Sequence, residues 1–323
     1  MSGKVLVTGG AGFIGSHVCK RLAAAGVAPI AFDSLEKGHA GMVRWGPLVR
    51  GDIGDRSSLI KVITEYNIDA IVHLAGYIEV GRSMREPALF HDNNVARTAV
   101  LIETAESLGV ENFVFSSTCA VFGTPVTARI GETHPFAPMS VYADTKLAVE
   151  RLLAAPERRL KSVVLRYFNA AGADPDGEIG EMHDPETHLM PLAIDAALGF
   201  APPLTIFGDD YPTPDGTCVR DYVHVEDLAE AHLRALAWLD GGGANAAFNL
   251  GSGTGHSVRE LIDATSRVSG LPVPHSMGPR REGDPSSLVA DPTLAAKILG
   301  WTPKHDLDAQ LEHALRWRRS MPR

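Results

Sequence analysis

The first half of the chain alternates short apolar runs with stretches in which apolar residues return every three or four positions. The runs are KVLVTG (4–9), PIAFD (29–33), LVRGD (48–52), AIVHLA (70–75), FVFSST (113–118) and SVVLRYFN (162–169). They are rich in Val, Ile and Phe and show little in–out alternation, which predicts strands buried on both faces. Between them, FIGSHVCKRLAAAG (13–26) and residues 56–66, 92–108 and 141–154 carry helical spacing. Strand and helix in alternation predict a parallel sheet covered on both sides. After about residue 171 the texture changes. Residues 172–188 are rich in Gly, Pro, Asp, Glu and His and read as a loop. A helix near 190–198, a strand at 204–207, a strand running into a helix over 219–236, a strand at 248–252 and a helix at 257–269 follow. The expectation is an α/β protein: a doubly wound parallel sheet over 1–170, then a smaller, mixed α/β, loop-rich domain over 171–323 that partly folds back on the first.

The balance of 30 basic and 39 acidic residues gives a net charge of −9. That argues against nucleic acid or an anionic membrane as the main partner. It leaves room for an anionic small ligand held by local arginines. Cys19, Cys119 and Cys218 lie far apart with no C-x-x-C spacing, so reduced thiols in a cytoplasm are expected. No apolar run approaches the ~18 residues of a membrane span.

TGGAGFIG (Thr8–Gly15) stands where the first strand turns into the first helix. Gly9, Gly12 and Gly15 permit a tight turn, close approach of a pyrophosphate and close packing of helix on strand. The helix N-terminus supplies partial positive charge. Asp33 closes the second strand, 18 residues beyond Gly15, where an acid accepts from ribose hydroxyls and repels a 2′-phosphate. This favours NAD over NADP. Asp52 and Ile53, at the end of the third strand, are expected to meet the adenine.

SVYADTKLAVE (140–150) sets Tyr142 and Lys146 one helical turn apart. The spacing alone does not decide between a catalytic pair and two polar residues on a helix surface. Ser116, Ser117 and Thr118 end a strand about 25 residues earlier, on the edge where ligands bind in an open parallel sheet. A hydroxyl, a tyrosine and a lysine beside a nicotinamide make a proton relay for oxidising an alcohol, with the lysine favouring the phenolate.

With this set in this order, the sequence resembles the extended short-chain dehydrogenase/reductase superfamily, which has a Rossmann-type fold. VLVTGGAGFIGSH, DNNV (92–95), FVFSSTCAVFG, LRYFNAAGA (165–173), ETHLMPL (186–192), IFGDDYPTPDGTCVRDYVHVEDLA (206–229), FNLGSGTGHSV (248–258) and RREGD (280–284) narrow the resemblance to the UDP-glucose 4-epimerases. It runs from about residue 4 to 317. It implies NAD-dependent interconversion of UDP-glucose and UDP-galactose through a 4-keto sugar, with Thr118, Tyr142 and Lys146 catalytic. Gly9, Gly12, Phe13, Ile14, Gly15, Asp33, Asp52, Ile53, Leu74, Ala75, Gly76, Asn93, Ser116, Tyr142, Lys146 and Phe168 would hold the cofactor. Thr118, Tyr142, Asn169, His188, Leu189, Phe207, Arg220, Arg281, Asp284 and Leu288 would meet the UDP-sugar. Arg220 and Arg281 suit a diphosphate, Phe207 the base, and Asp284 the uridine ribose.

Three positions depart from the family pattern. Thr118 replaces a serine, Ile78 a lysine found in some members, and His188 an asparagine. Cys119 and Ala120 follow Thr118 where 4,6-dehydratases carry Asp-Glu, which argues against dehydration. A UDP-pentose epimerase (UDP-xylose/UDP-arabinose), another UDP-hexose epimerase and, more distantly, a non-catalytic dinucleotide sensor remain alternatives. Tyr77 and Phe168 are expected to pack near the nicotinamide, and Cys119 to be a packed thiol. EMHDPETH (181–188) matches no metal motif, so no metal is expected. Val95, Val100, Leu101, Leu147, Val149 and Leu153 exceed what one sheet face needs, and with the resemblance they imply a homodimer. Leu288 occupies the position that in the family gates the C2 substituent of the sugar.

Overall fold

The computed structural model describes residues 3–281 and 283–321; Glu282 of the RREGD segment and the outermost residues of the two expected domains lie outside it. Seven strands form one parallel sheet: β1 (Lys4–Thr8), β2 (Ala28–Asp33), β3 (Leu48–Arg50), β4 (Ala70–His73), β5 (Asn112–Thr118), β6 (Lys161–Tyr167) and, after a long excursion, β10 (Ala246–Leu250). The order is β10-β6-β5-β4-β1-β2-β3, so the expected doubly wound, Rossmann-type parallel sheet is present. The chain winds outward in both directions from β1 and β4, and the C-terminal ends of the strands share one edge.

Helices cover both faces. On one lie α1 (Phe13–Ala24), α8 (Val225–Asp240) and α10 (Thr293–Leu299); on the other lie α2 (Arg56–Tyr66), α5 (Arg97–Ser107) and α6 (Val141–Leu153). Apart from their end residues, the strands β1, β2, β4, β5 and β6 have almost no exposed surface, which explains their missing alternation, while edge strand β3 is only half-buried. Local chemistry sets the helix ends. Asp55 accepts from Ser57 N (3.0 Å) and Ser58 N (3.3 Å) to cap α2, and Ser140 accepts from Ala143 N (3.2 Å) to cap α6. Short helices α3 (Val80–Arg85) and α4 (Pro87–His91) lead into a π-helical turn at Asp92–Ala96.

The remaining elements build a smaller unit: β7 (Asn169–Ala171), α7 (Leu189–Leu198), β8 (Leu204–Phe207), β9 (Val219–His224), β11 (Gly255–Ser257), α9 (Val258–Ser269), β12 (His275–Gly278), β13 (Ser287–Leu288) and α11 (Leu307–Ser320). β9 is its hub, pairing with β7, β11 and β13. α7, α9 and α11 share a separate apolar core with β8. β10 and α8 come from beyond residue 171 yet belong to the large sheet layer, so the chain crosses between the units more than once.

Four of the six apolar positions assigned to a dimer face are consumed inside the chain. Leu101 (0%), Val149 (0%), Leu153 (1%) and Leu147 (3%) are buried, the first three under the sheet and Leu147 beside Phe122 and Phe168. A helix between a sheet and a second helix buries more than one stripe, and this accounts for the surplus. Val95 and Val100 are partly buried. No helix among the described residues is long and apolar enough to cross a membrane.

His73 ties β4 to its neighbours: Nδ1 meets Thr8 Oγ1 at 2.7 Å and Nε2 meets Thr98 Oγ1 at 2.9 Å. Burial, with a lesser push from Lys146, lowers its pKa to about 3. A histidine lowered on folding contributes stability that is complete above its unfolded pKa of about 6.5 and is lost as pH falls toward 3. His73→Gln, whose amide can keep both bonds, should therefore reduce the stability lost between pH 6.5 and 5 by about 2 kcal/mol, since each pH unit in that window is worth about 1.4 kcal/mol. Urea unfolding of both proteins at the two pH values measures this. Equal losses would remove His73 as a source of acid sensitivity.

Candidate active site

The turn from β1 to α1 depends on absent side chains. Gly9 has φ +73°, and its amide donates to Phe32 O at 2.9 Å. A Cβ on Gly15 would lie 2.1 Å from Gly9 O. Only hydrogen there lets α1 start directly over the turn, with Phe13 buried and Ile14 against the core. Asp33 ends β2 and its carboxylate accepts from Ala11 N (3.0 Å) and Leu35 N (2.8 Å), fixing the turn against the second strand. A Cβ on Gly38 would lie 2.7 Å from the same carboxylate. These residues fit a dinucleotide: a glycine cradle at a helix start, then an acid one strand away.

At the expected adenine end, the side chains of Ile53 and Asp52 take different places. The Ile53 side chain packs in the core with Leu59, Val62 and Leu101, so it does not face the cleft. Asp52 accepts from Arg97 at 2.5 Å and from Gly54 N at 2.7 Å, because an acid at a strand end finds the nearest guanidinium.

Leu74, Ala75 and Gly76 follow β4. A Cβ on Gly76 would meet Asn94 Oδ1 at 3.2 Å and Lys146 Nζ at 3.8 Å. Beside the expected cofactor residue Asn93, Asn94 joins the turn after β4 to α6. It accepts from Tyr77 N (2.9 Å), donates to Tyr77 O (3.0 Å) and donates to Thr145 Oγ1 (3.2 Å), while Asn93 donates to Asn94 Oδ1 at 3.0 Å. Asn94 sits in the π-helical turn, a deviation often found at functional sites. Tyr77, expected to pack near the nicotinamide, donates its phenol to Glu36, three residues beyond Asp33, at 2.8 and 2.9 Å. A carboxylate within reach outcompetes an apolar site for a hydroxyl.

Thr118 ends β5, and Tyr142 and Lys146 lie on the face of α6 turned toward it. The Thr118 hydroxyl bonds the Tyr142 phenol and favours its ionised form, but burial dominates and pushes the phenol up to about 12. Lys146 Nζ donates to Ser116 O at 2.8 Å and lies 6.0 Å from the Tyr142 ring centroid. Burial lowers its ammonium to about 8, partly offset by Glu150. The expected effect of lysine on tyrosine is thus outweighed here: a dry setting disfavours both charges. Ser117 is turned away, bonded to Glu150, which also pairs with Arg166 at 2.7 Å inside the protein. Phe168 and Cys119 pack together with Phe122 and Leu147, and burial pushes the Cys119 thiol up to about 12, as befits a packed thiol. Ile78 is exposed.

The smaller unit brings five expected residues together. Arg220 on β9 pairs with Asp284, Arg281 stacks over Phe207 at 4.1 Å, and Leu288 on β13 lies in register with Arg220. Leu288 also packs on the cluster of Cys119, Phe122 and Phe168, linking this unit to the end of β5. Asn169 opens β7 beside Tyr222. Leu189 begins α7 and packs in the smaller core. His188 is bonded to buried Glu181, which sequence reasoning did not assign; the carboxylate holds His188 above its ordinary pKa despite burial. Glu181 pairs with His183 and His188, and this drops its own pKa to about 2.

Residues 5–251 match the family model for the NAD dependent epimerase/dehydratase family. The chain belongs to that family. Within it, the chain is 50% identical over 315 residues to a UDP-glucose 4-epimerase of Rhizobium meliloti, covering 97% of this chain and 96% of the relative. Its structure superposes on a UDP-glucose 4-epimerase from Brucella ovis in complex with NAD with a TM-score of 0.95, at 48% identity and 97% coverage of each chain. It superposes with a TM-score of 0.96, at 40% identity and 98% coverage of each, on a UDP-glucose 4-epimerase from Stenotrophomonas maltophila with bound NAD and formylated UDP-arabinopyranose.

Gly15→Ala tests the glycine cradle. The new methyl collides with Gly9 O, so α1 must lift from the turn at a cost of about 1–3 kcal/mol. Dinucleotide binding, followed by cofactor retained through gel filtration, should be largely lost, and thermal unfolding should come earlier. Retention equal to that of the unaltered protein would show that the turn tolerates a Cβ.

Proposed function

We propose that this chain is an NAD-dependent UDP-glucose 4-epimerase, an isomerase that interconverts UDP-glucose and UDP-galactose. The observation that carries this is the meeting of Thr118, Tyr142 and Lys146 at the sheet edge, with Leu288 joining them to the unit that holds Arg220, Arg281, Asp284 and Phe207. The roughly 50% identity to UDP-glucose 4-epimerases over nearly the whole chain supports the same reading.

Gly9, Gly12, Gly15 and Asp33 hold the dinucleotide, and Lys146 can bond its ribose. When bound, NAD⁺ supplies a hydride acceptor that is regenerated within each turnover and a positive ring charge that favours the phenolate. Tyr142 takes the proton from the sugar 4-hydroxyl through or beside Thr118 and later returns it to the epimerised oxygen. Arg220 and Arg281 exchange their present partners, Asp284 and the Phe207 face, for the diphosphate, so the nucleotide stays fixed while the 4-keto sugar turns about its diphosphate link. Asp284 is then free for the uridine ribose. His188, kept positive by Glu181, adds a donor near the diphosphate. The reaction is redox-neutral, so NAD should co-purify with the protein and no NADH should accumulate.

The cytoplasm fits three free, buried cysteines. A homodimer rests on the family resemblance, because most of the apolar surplus on α5 and α6 lies inside the chain. Light scattering at micromolar concentration distinguishes dimer from monomer.

Tyr142→Phe should lower kcat by about 10²–10⁴, the span of a general acid–base group, with substrate binding largely kept. The assay converts UDP-galactose to UDP-glucose, with products identified by NMR. Near-normal turnover would exclude Tyr142 as the base.

Leu288 supplies the specificity test. It is larger than cysteine and offers no hydrogen bond to an acetamido group, so UDP-N-acetylglucosamine should be disfavoured by about 1–3 kcal/mol, roughly 10- to 200-fold. Leu288→Cys should raise kcat/KM for that sugar. Equal efficiency of the unaltered enzyme on both hexose classes would show that Leu288 is not the gate. UDP-xylose and UDP-arabinose belong in the same panel and decide the UDP-pentose alternative.

A further inference from the structure

The sheet order places β1 between β4 and β2. The loops that leave β4 and β2 therefore flank the glycine turn that leaves β1. The turn touches both. A Cβ on Gly9 would lie 2.7 Å from Ala75 N, in the loop after β4. On the other side, Ala11 N donates to Asp33 at 3.0 Å and Ala11 O accepts from His39 N at 2.9 Å, at the two ends of the loop after β2. Two strand spacings, about 10 Å, separate the flanking loops. The cleft between them is the one that Gly9, Gly12, Gly15 and Asp33 line.

One short contact spans this cleft. The Tyr77 phenol, from the loop after β4, donates to Glu36, from the loop after β2, and lies 2.8 and 2.9 Å from its two oxygens. We infer that this bond is a latch across the cofactor cleft. It opens before the dinucleotide leaves, so Glu36 and Tyr77 set how long NAD stays bound. The inference rests on the cofactor reading above and uses nothing of the sugar chemistry.

Both ends of the latch are held in place. Asn94 accepts from Tyr77 N at 2.9 Å and donates to Tyr77 O at 3.0 Å, which fixes the tyrosine backbone. The Tyr77 ring packs on Phe90 with 5.6 Å between centroids and lies under the Arg82 guanidinium at 5.1 Å. Burial, together with the Glu36 carboxylate, pushes the phenol up to about 12, so it stays protonated and donates. On the opposite loop, Leu35 N donates to Asp33 at 2.8 Å and Glu36 N to Ser34 Oγ at 3.3 Å. Leu35 holds φ +62°, uncommon for leucine, so the chain bends sharply just before Glu36. A phenol on a carboxylate is a charge-assisted bond, stronger than a neutral one. Lys37 and Glu79 cross the same cleft at 3.5 Å. Lys37 is largely in water, so that ion pair adds little.

The test loads full-length protein with radiolabelled NAD⁺ and dilutes it into excess unlabelled NAD⁺. Label still bound is followed in time by filter binding. No turnover is needed. A chain that holds NAD⁺ but leaves UDP-galactose unchanged would therefore overturn the proposed function and leave the latch standing. Tyr77→Phe keeps the ring and removes the donor; Glu36→Ala removes the acceptor. Each should release NAD⁺ about tenfold faster or more, the worth of a charge-assisted bond. The double variant should release no faster than the faster single one, because the same bond is lost either way. Glu36→Gln, whose amide oxygen still accepts from the phenol, should recover most of the slow release. Glu86→Gln, which alters only the pair with Arg82 at 3.2 Å, should release at the unaltered rate. Glu36 is exposed, so its variants keep the fold. Unchanged release in both single variants, single effects that multiply in the double variant, or release from Glu36→Gln as fast as from Glu36→Ala would overturn the proposal.

Discussion

The corner that holds Tyr142, partly buried, and Lys146, fully buried, sets the terms for the rest of the structure. Each group prefers to be neutral there: the phenol rises to about 12 and the ammonium falls to about 8. Taking a proton from a sugar hydroxyl requires the opposite state of the phenol. The protein offers one local aid, the Thr118 hydroxyl, and holds Lys146 on Ser116 O rather than on the phenol. The remaining stabilisation must be electrostatic and must arrive with a positively charged partner.

The same economy governs the smaller unit. The chain is acidic overall, and each arginine proposed to meet the diphosphate already meets a carboxylate or a ring. Arg220 lies on Asp284, and Arg281 lies over Phe207. Both partners are themselves suited to the nucleotide, Asp284 to a ribose and Phe207 to a base. Substrate entry then trades one set of contacts for another instead of desolvating bare charges, which limits the cost of binding.

Connectivity keeps these halves in register. β10 and α8 return to the large sheet after the chain has begun the smaller unit, and Leu288 bridges β13 to the cluster behind Thr118. The catalytic corner and the arginines are therefore not joined by a single hinge. The loop at 172–188 adds a further tie, because its carbonyls are held by His39 and Lys37 from the first unit and by Trp317 from α11.

The sequence by itself determined what depends on near neighbours. Buried parallel strands need unbroken apolar runs, so β1 to β6 were legible. A helix that starts over a tight turn needs Gly9 and Gly15, so the cradle was legible. Helical spacing put Tyr142 and Lys146 on one face. Only the tertiary structure decided matters that depend on which distant group wins a contact. It set Asn94 between Tyr77 and Thr145, sent the Tyr77 phenol to Glu36, turned the Ile53 side chain into the core, and used Leu101, Leu147, Val149 and Leu153 inside one chain. It also set the sign of the balance at Tyr142: spacing predicts an ammonium one turn away, but the degree of burial, which no local pattern records, outweighs it. Glu181 is the clearest case. In the sequence it is one acid in a polar loop, and only folding buries it against two histidines, where the low dielectric makes its choice of partner matter.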